Sequence, residues 1–395
     1  MRKISASFIF TGKNEFLRNG ILVLDDDNIV TDVIDTSGVI KEIPFLEYYN
    51  GIIVPGFINA HCHLELSYLK GIFQHTESLV GFVKQMIQKR ENNYENRIES
   101  IIRSDREMQF NGIVGCGDIS NSSISFEAKA KSKLMYHTFI EVLGLNEIKT
   151  EQNFIDAKDL LNNALKCSIG NASIAPHASY SVESNLFKNL FEFSTEHNSI
   201  ISIHNQESEE ENSIFTKNPG ELAEVLKQVG WKKDSFPNTN LSSIVSISQY
   251  LPFQNPILFI HNIFTTKEDI TFAQNLFKNR YWVFCPKSNL FITNLIPDIS
   301  LFENEYDRIC IGTDSLASND TLSVLEEIKV LQIRFPELKL NYLLQWATIN
   351  GAKALGMDTE LGSFEKGKRP GVNLLYNVDI QQLKITDKTQ LKVLA

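Results

Sequence analysis

From Phe8 to Val54 the apolar residues come in short runs separated by turn residues, as in "ILVL", "DDDN" and "IVTDVI", which is a hairpin signature. The opening "MRKISASFIFTG" reads as a first strand, because Thr11, Gly12 and Lys13 interrupt it before a signal-peptide core forms. After Pro55 the texture changes. Apolar strand-like runs alternate with longer amphipathic segments, the pattern of successive βα units around a parallel sheet. Leu79, Val80, Phe82, Val83, Met86 and Ile87 follow helical spacing. Strands are predicted at "GIIVPGFINAHCH", "NGIVGCGDI", "LMYHTFIEVLG", "ASIAPHASYS", "SIISIHNQE", "PILFIHNIF", "YWVFCPKSN" and "RICIGTDSLAS", which makes eight.

Eight such units over residues 56–359 are what a closed (β/α)8 TIM barrel of the α/β class requires, and reactive groups then sit where strands end and loops begin. In each predicted strand the apolar run comes first and the His, Glu or Asp comes at its C-terminal end. From about Leu361, "LGSFEKGKRPGVNLLYNVD" returns to Gly-punctuated strands, so residues 1–55 and 360–395 are expected to pair into a small β-sandwich domain flanking the barrel.

Composition narrows the function classes. A chain of 395 residues with 43% hydrophobic side chains and 26 Phe can cover a substantial core. A net charge of -10 repels phosphate backbones and anionic lipid, so neither nucleic acid nor membrane is an expected partner. The five cysteines lack paired spacing and point to a reducing compartment; no window has the 18 uncharged apolar residues needed to cross a bilayer, so a cytoplasmic protein is expected. The expected partner is a small-molecule substrate, with a homo-oligomer left open.

Along an extended strand side chains alternate faces, so His61 and His63 in "GFINAHCHLELS" project together while Cys62 points away. Such a pair suits zinc, and also iron, at a site completed by another His and a carboxylate. Alone it is equally compatible with structural histidines. The balance shifts because His204 closes "ISIH", His261 closes "LFIH" and Asp314 follows "ICIGTD", each at the end of an apolar strand. Four of the eight histidines thus fall at the mouth of the expected barrel together with a lone Asp.

In the order "PGFINAHCH", "SIHNQE", "FIHN", "GTDS", "NGAKALG" and "LGSFEKGKRPG" the chain resembles the amidohydrolase superfamily over nearly its whole length. "HNQE" resembles the H-x-x-E of the mononuclear deaminase branch, which includes cytosine, atrazine-type, S-adenosylhomocysteine and aminodeoxyfutalosine deaminases. The binuclear branch usually carries a carboxylated lysine at the fourth strand, where this chain has His177. The closing segment departs from the superfamily's usual Gly-Lys-x-Ala-Asp, with Pro370 and Gly371 in place of Ala-Asp.

The resemblance implies one divalent ion, zinc or iron, held by His61, His63, His204 and Asp314 with a water completing the shell. Asp314 would accept the proton of that water and His261 would orient it for attack on an amidine-like carbon. Glu207 would protonate the ring nitrogen, and ammonia would leave. The reading is a metal-dependent hydrolase of carbon–nitrogen bonds in an amino-substituted nitrogen heterocycle, purine nucleoside-like. Ring opening of a cyclic amide, dechlorination at the same metal, or an inactive barrel acting as a binding protein are the alternatives. His177 and Glu65 are candidate substrate contacts, and Ser288 and Asn289 brace a loop or position substrate. Glu209, Glu210 and Glu211 read as a solvated helix start. His75, His137 and His197 read as a loop residue, a buried strand residue beside Phe139 and a helix-end residue.

Overall fold

The computed structural model describes residues 1–395 apart from 14, 90–95, 217, 231 and 233–237. Seven strands come from the two ends of the chain: β1 (Arg2–Phe10), β2 (Phe16–Arg18), β3 (Ile21–Leu24), β4 (Val30–Ile34), β5 (Leu46–Pro55), β14 (Val372–Tyr376) and β15 (Gln390–Val393). Eight lie between them: β6 (Phe57–Cys62), β7 (Ile113–Ser120), β8 (Met135–Val142), β9 (Asn171–Pro176), β10 (Ile201–Asn205), β11 (Ile257–His261), β12 (Arg280–Phe284) and β13 (Ile309–Ile311). All eight apolar runs singled out between Gly51 and Ser318 therefore contain strands.

The terminal strands form one hydrogen-bonded sheet in the order β15-β14-β5-β1-β3-β4, with β2 on β1. This differs from the sandwich expected of them. The physical reason is β1, whose nine residues pair parallel with β5 and antiparallel with β3 and β2, so that no second sheet separates. The "DDDN" turn does join a hairpin, β3 with β4. The Pro370-Gly371 departure is absorbed: Gly371 adopts φ 68°, open to glycine, and the Pro370 carbonyl accepts the Gly56 N–H at 2.9 Å.

The central strands form two four-stranded parallel sheets, β6-β7-β8-β9 and β10-β11-β12-β13, and most are followed by helices. Isolated parallel bridges Cys62↔Asp314 and Ala178↔His204 link the C-terminal ends of one sheet to those of the other. Helix Leu79–Lys89 forms where the spacing predicts it, and helix Lys267–Leu276 starts on a Thr266/Asp269 capping box. The strands bury apolar side chains on both faces, as parallel sheets covered by helices do. One cluster, including Ile58, Ala60, Phe139, Leu258 and Val283, draws on both sheets. A larger one, including Phe57, Cys62, Trp282 and Trp346, packs strands against helices. Among the described residues no helix is long and apolar enough to cross a membrane.

Candidate metal centre

The register of β6 against β7 shifts between Asn59 and Cys62, where β6 carries one extra residue. Before the shift Ile58 and Ala60 point into the cluster shared by the two sheets; after it Cys62 packs on the helical side. The bulge therefore re-aims the strand so that His61 and His63, rather than Cys62, face inward. The turn beyond is pinned by Asp118, whose Oδ1 accepts the Leu64 N–H at 2.7 Å while Oδ2 meets the buried Lys129 ammonium at 2.5 Å.

Three imidazoles and a carboxylate converge there. His61 Nε2 lies 3.1 Å from His63 Nε2, which lies 3.4 Å from His204 Nε2. Asp314 Oδ1 is 3.7 Å from His61 Nε2 and 3.5 Å from His63 Nε2. Ligands held 2.0–2.1 Å from one tetrahedral cation sit about 3.3 Å apart, so the donor set fits a single divalent ion. Its nitrogen-rich character suits zinc and also iron. His204 Nδ1 donates to the His177 carbonyl at 2.6 Å, which leaves Nε2 as a lone pair aimed at the others. Burial holds the His61 and His204 imidazoles well below their ordinary pKa, and their neighbouring histidines add to the effect. Neutral imidazole is the metal-binding form.

Several of these side chains leave their strands on strained backbone: φ is 48° at Gln206, 74° at His261, 59° at Asn262 and 57° at Asp314. Carbonyl and amide contacts hold the bends, since Thr313 N and Asp314 N both donate to the His61 carbonyl at 3.0 Å. Gly312 makes that approach possible. A Cβ there would stand 2.9 Å from His61 Cβ and 3.0 Å from Cys285 Sγ, so Gly312→Ala is expected to cost about 1–3 kcal/mol and to weaken metal affinity by displacing His61. Thermal melting with and without metal checks this, and unchanged melting in both states would contradict it.

Around the four converging groups stand two more. His261 is stacked on His204 at 5.3 Å between ring centroids; its Nδ1 donates to Asn289 Oδ1 at 2.8 Å, leaving Nε2 as an acceptor. Glu207 Oε1 lies 3.7 Å from that Nε2. Burial, then the charges of Asp314 and Glu211, push the Glu207 carboxyl well above its usual range, which favours its protonated form. Asp314 behaves in the opposite way. Burial opposes its charge, but His63, His261, the Ser288 hydroxyl and His204 outweigh it, and its pKa falls. The pKa values of two buried carboxyls are thus driven in opposite directions.

His177 lines the same cavity, with Nδ1 2.8 Å from Glu141 Oε1. Glu65 is not brought there. Its carboxylate accepts from Asn121 N at 3.2 Å and from the Ser122 and Ser125 hydroxyls, and burial raises its pKa to about 7. Ser288 and Asn289 brace side chains rather than a loop: Ser288 donates to Asp314 Oδ2 at 2.5 Å, and Ser318 does so at 3.1 Å. Glu211 departs from the solvated helix start expected of it. It is fully buried, accepting the Ser179 hydroxyl at 2.8 Å and the Glu207 N–H at 3.1 Å, because helix Glu209–Ser213 turns that side chain inward. Glu141 was missed, although it closes the apolar run of β8 as His204 closes that of β10. His75 is exposed, His137 is buried at 4.6 Å from Phe139, and His197 caps helix Ser184–Glu196.

A family model described as "Amidohydrolase family" matches residues 52–387. An adenosine deaminase of Helicobacter pylori is 28% identical, covering 94% of this chain and 91% of its own length. An aminodeoxyfutalosine deaminase of Nitratiruptor is 27% identical over 87% of this chain and 84% of its own. Among solved structures, Helicobacter pylori aminofutalosine deaminase in complex with methylthio-coformycin superposes with a TM-score of 0.79 at 25% identity, covering 95% of this chain and 92% of that one.

Proposed function

The chain belongs to the amidohydrolase family, and from that premise we propose that it replaces the exocyclic amine of a purine nucleoside-like heterocycle with oxygen, releasing ammonia. The observation that carries this reading is the buried Glu207 carboxyl, with Oε1 3.7 Å from His261 Nε2, beside the converging His61, His63, His204 and Asp314. The nucleoside deaminases among its relatives support the substrate class.

We assign His61, His63, His204 and Asp314 as ligands of one divalent ion, zinc in preference to iron, which supplies Lewis-acid polarisation. Asp314 takes the proton of the attacking water, and His261 Nε2, left as an acceptor by the Asn289 contact, orients that water. Glu207 gives its proton to the ring nitrogen next to the carbon under attack, so the tetrahedral adduct stays neutral. The proton held by Asp314 then passes to the amine, the carbon–nitrogen bond breaks to release ammonia, and Glu207 recovers its proton from the adduct's hydroxyl as the carbonyl forms. Opening a cyclic amide has less need of an acid at a ring nitrogen, so Glu207 favours deamination. His177, backed by Glu141, is assigned to substrate contact. The two bridges between half-sheets support a closed (β/α)8 barrel over 56–359, with 1–55 and 360–395 as the flanking β domain.

Metal-loaded protein incubated with adenine nucleosides, cytosine, guanine and triazine compounds tests the reading. Ammonia is expected from an adenine nucleoside; release from none of them would overturn it.

A further inference from the structure

We infer that the cavity above the metal ligands selects a substrate whose substituent beyond the reacting ring is apolar and uncharged, and disfavours one that bears a carboxylate there. The inference rests on the deaminase reading and names the substrate class of the same site.

The cavity, about 420 Å³, runs from His63, His204 and Asp314 outward between two helical walls. One wall is helix Leu79–Lys89, which presents Leu79, Phe82, Val83 and Met86, an i, i+3, i+4, i+7 stripe. Such a stripe ordinarily packs into a core. Here Phe82, Val83 and Met86 remain only half-buried because they face the cavity. Leu145, Val225 and Leu226 oppose them, the last two from helix Gly220–Leu226. An apolar group laid between these walls leaves water on both sides.

Among the described residues a carboxylate there finds no counter-ion. Among the described residues that line the cavity there is no Lys or Arg. The cations of the wall elements are engaged elsewhere: Lys84 with Glu221 at 2.6 Å, Lys227 with Glu224 at 2.5 Å, and Lys89 with the Ile72 carbonyl at 3.1 Å and over the Phe73 ring. His177 is already matched to Glu141 at 2.8 Å. The carboxyl groups inside, Glu141, Glu207 and Asp314, add repulsion or nothing. Transfer of a charged oxygen pair from water into this space without a partner is unfavourable.

Two adenine nucleosides of matched size separate charge from shape, one with a 5′-isobutylthio group and one with a 5′-carboxymethylthio group. With the metal-loaded full chain near neutral pH, kcat/KM for the isobutylthio compound is expected to exceed the other by at least about tenfold. Met86→Arg, which places a cation in the wall, is expected to narrow that ratio about tenfold; the wild-type ratio decides by itself if the variant does not fold. Equal or better turnover of the carboxymethylthio compound would overturn the inference and leave the deaminase reading standing. Ammonia from neither would remove the deaminase reading and the inference with it.

Discussion

Asp314→Asn is expected to lower kcat by about 10³-fold or more at saturating metal and to weaken metal binding as well. Two losses combine. The amide removes one anionic ligand, and it removes a proton acceptor whose role alone is worth about 10²–10⁴-fold. Geometry makes the isosteric change harsher. Ser288 and Ser318 both donate to Oδ2, so the amide oxygen of the variant is drawn to them and its NH2 group is left facing the imidazoles and the cation. The fold should survive, because the backbone bend at residue 314 rests on amide contacts to the His61 carbonyl. Metal content by elemental analysis, a melting curve and turnover of an adenine nucleoside test this together. Activity within about threefold of wild type would dismiss Asp314 as ligand and base.

Glu207→Gln is expected to give a different signature: kcat reduced about 10²–10⁴-fold with the metal content unchanged. Glu207 does not meet the converging ligand atoms, so its loss removes a proton donor and not the ion. Since the protonated carboxyl is the working form, wild-type activity should fall as pH rises through its raised pKa, and the variant should lose that alkaline limb. Stability moves in the same sense. A carboxyl raised in the folded state contributes stability that is fully present below its unfolded pKa and is lost as pH rises through the folded one. The glutamine variant carries no such charge, so it should melt at or above the wild-type temperature at alkaline pH. A variant with reduced metal content and an unaltered pH profile would contradict the assignment.

Much of this site was legible because parallel strands feed their C-terminal residues to one rim. The rule that an apolar run closes on its reactive residue found His204, His261 and Asp314, and applied evenly it finds Glu141 too, where "TFIEV" ends β8. Glu211 illustrates a limit. Three consecutive glutamates look solvated in any local window, and only the docking of a five-residue helix against Ser179 buries one of them. Glu65 shows the same limit from the other side, since its neighbours at 121–125 come from the next strand's loop.

By itself the amino-acid order determined the eight apolar runs, which strand-end side chains converge and the family to which the chain belongs, because strand periodicity and strand-end chemistry are local properties. Tertiary structure decided the rest. The single sheet built by the termini depends on β5, which pairs with β1 on one edge and with β14, more than 300 residues further along the chain, on the other. The inward aim of His61 and His63 depends on an extra residue in β6 that is defined only against the register of β7. The raised pKa of Glu207 and the lowered pKa of Asp314 depend on burial and on charges brought together across the rim. Fields, registers and burial are sums over the whole fold, so no single stretch of the chain contains them.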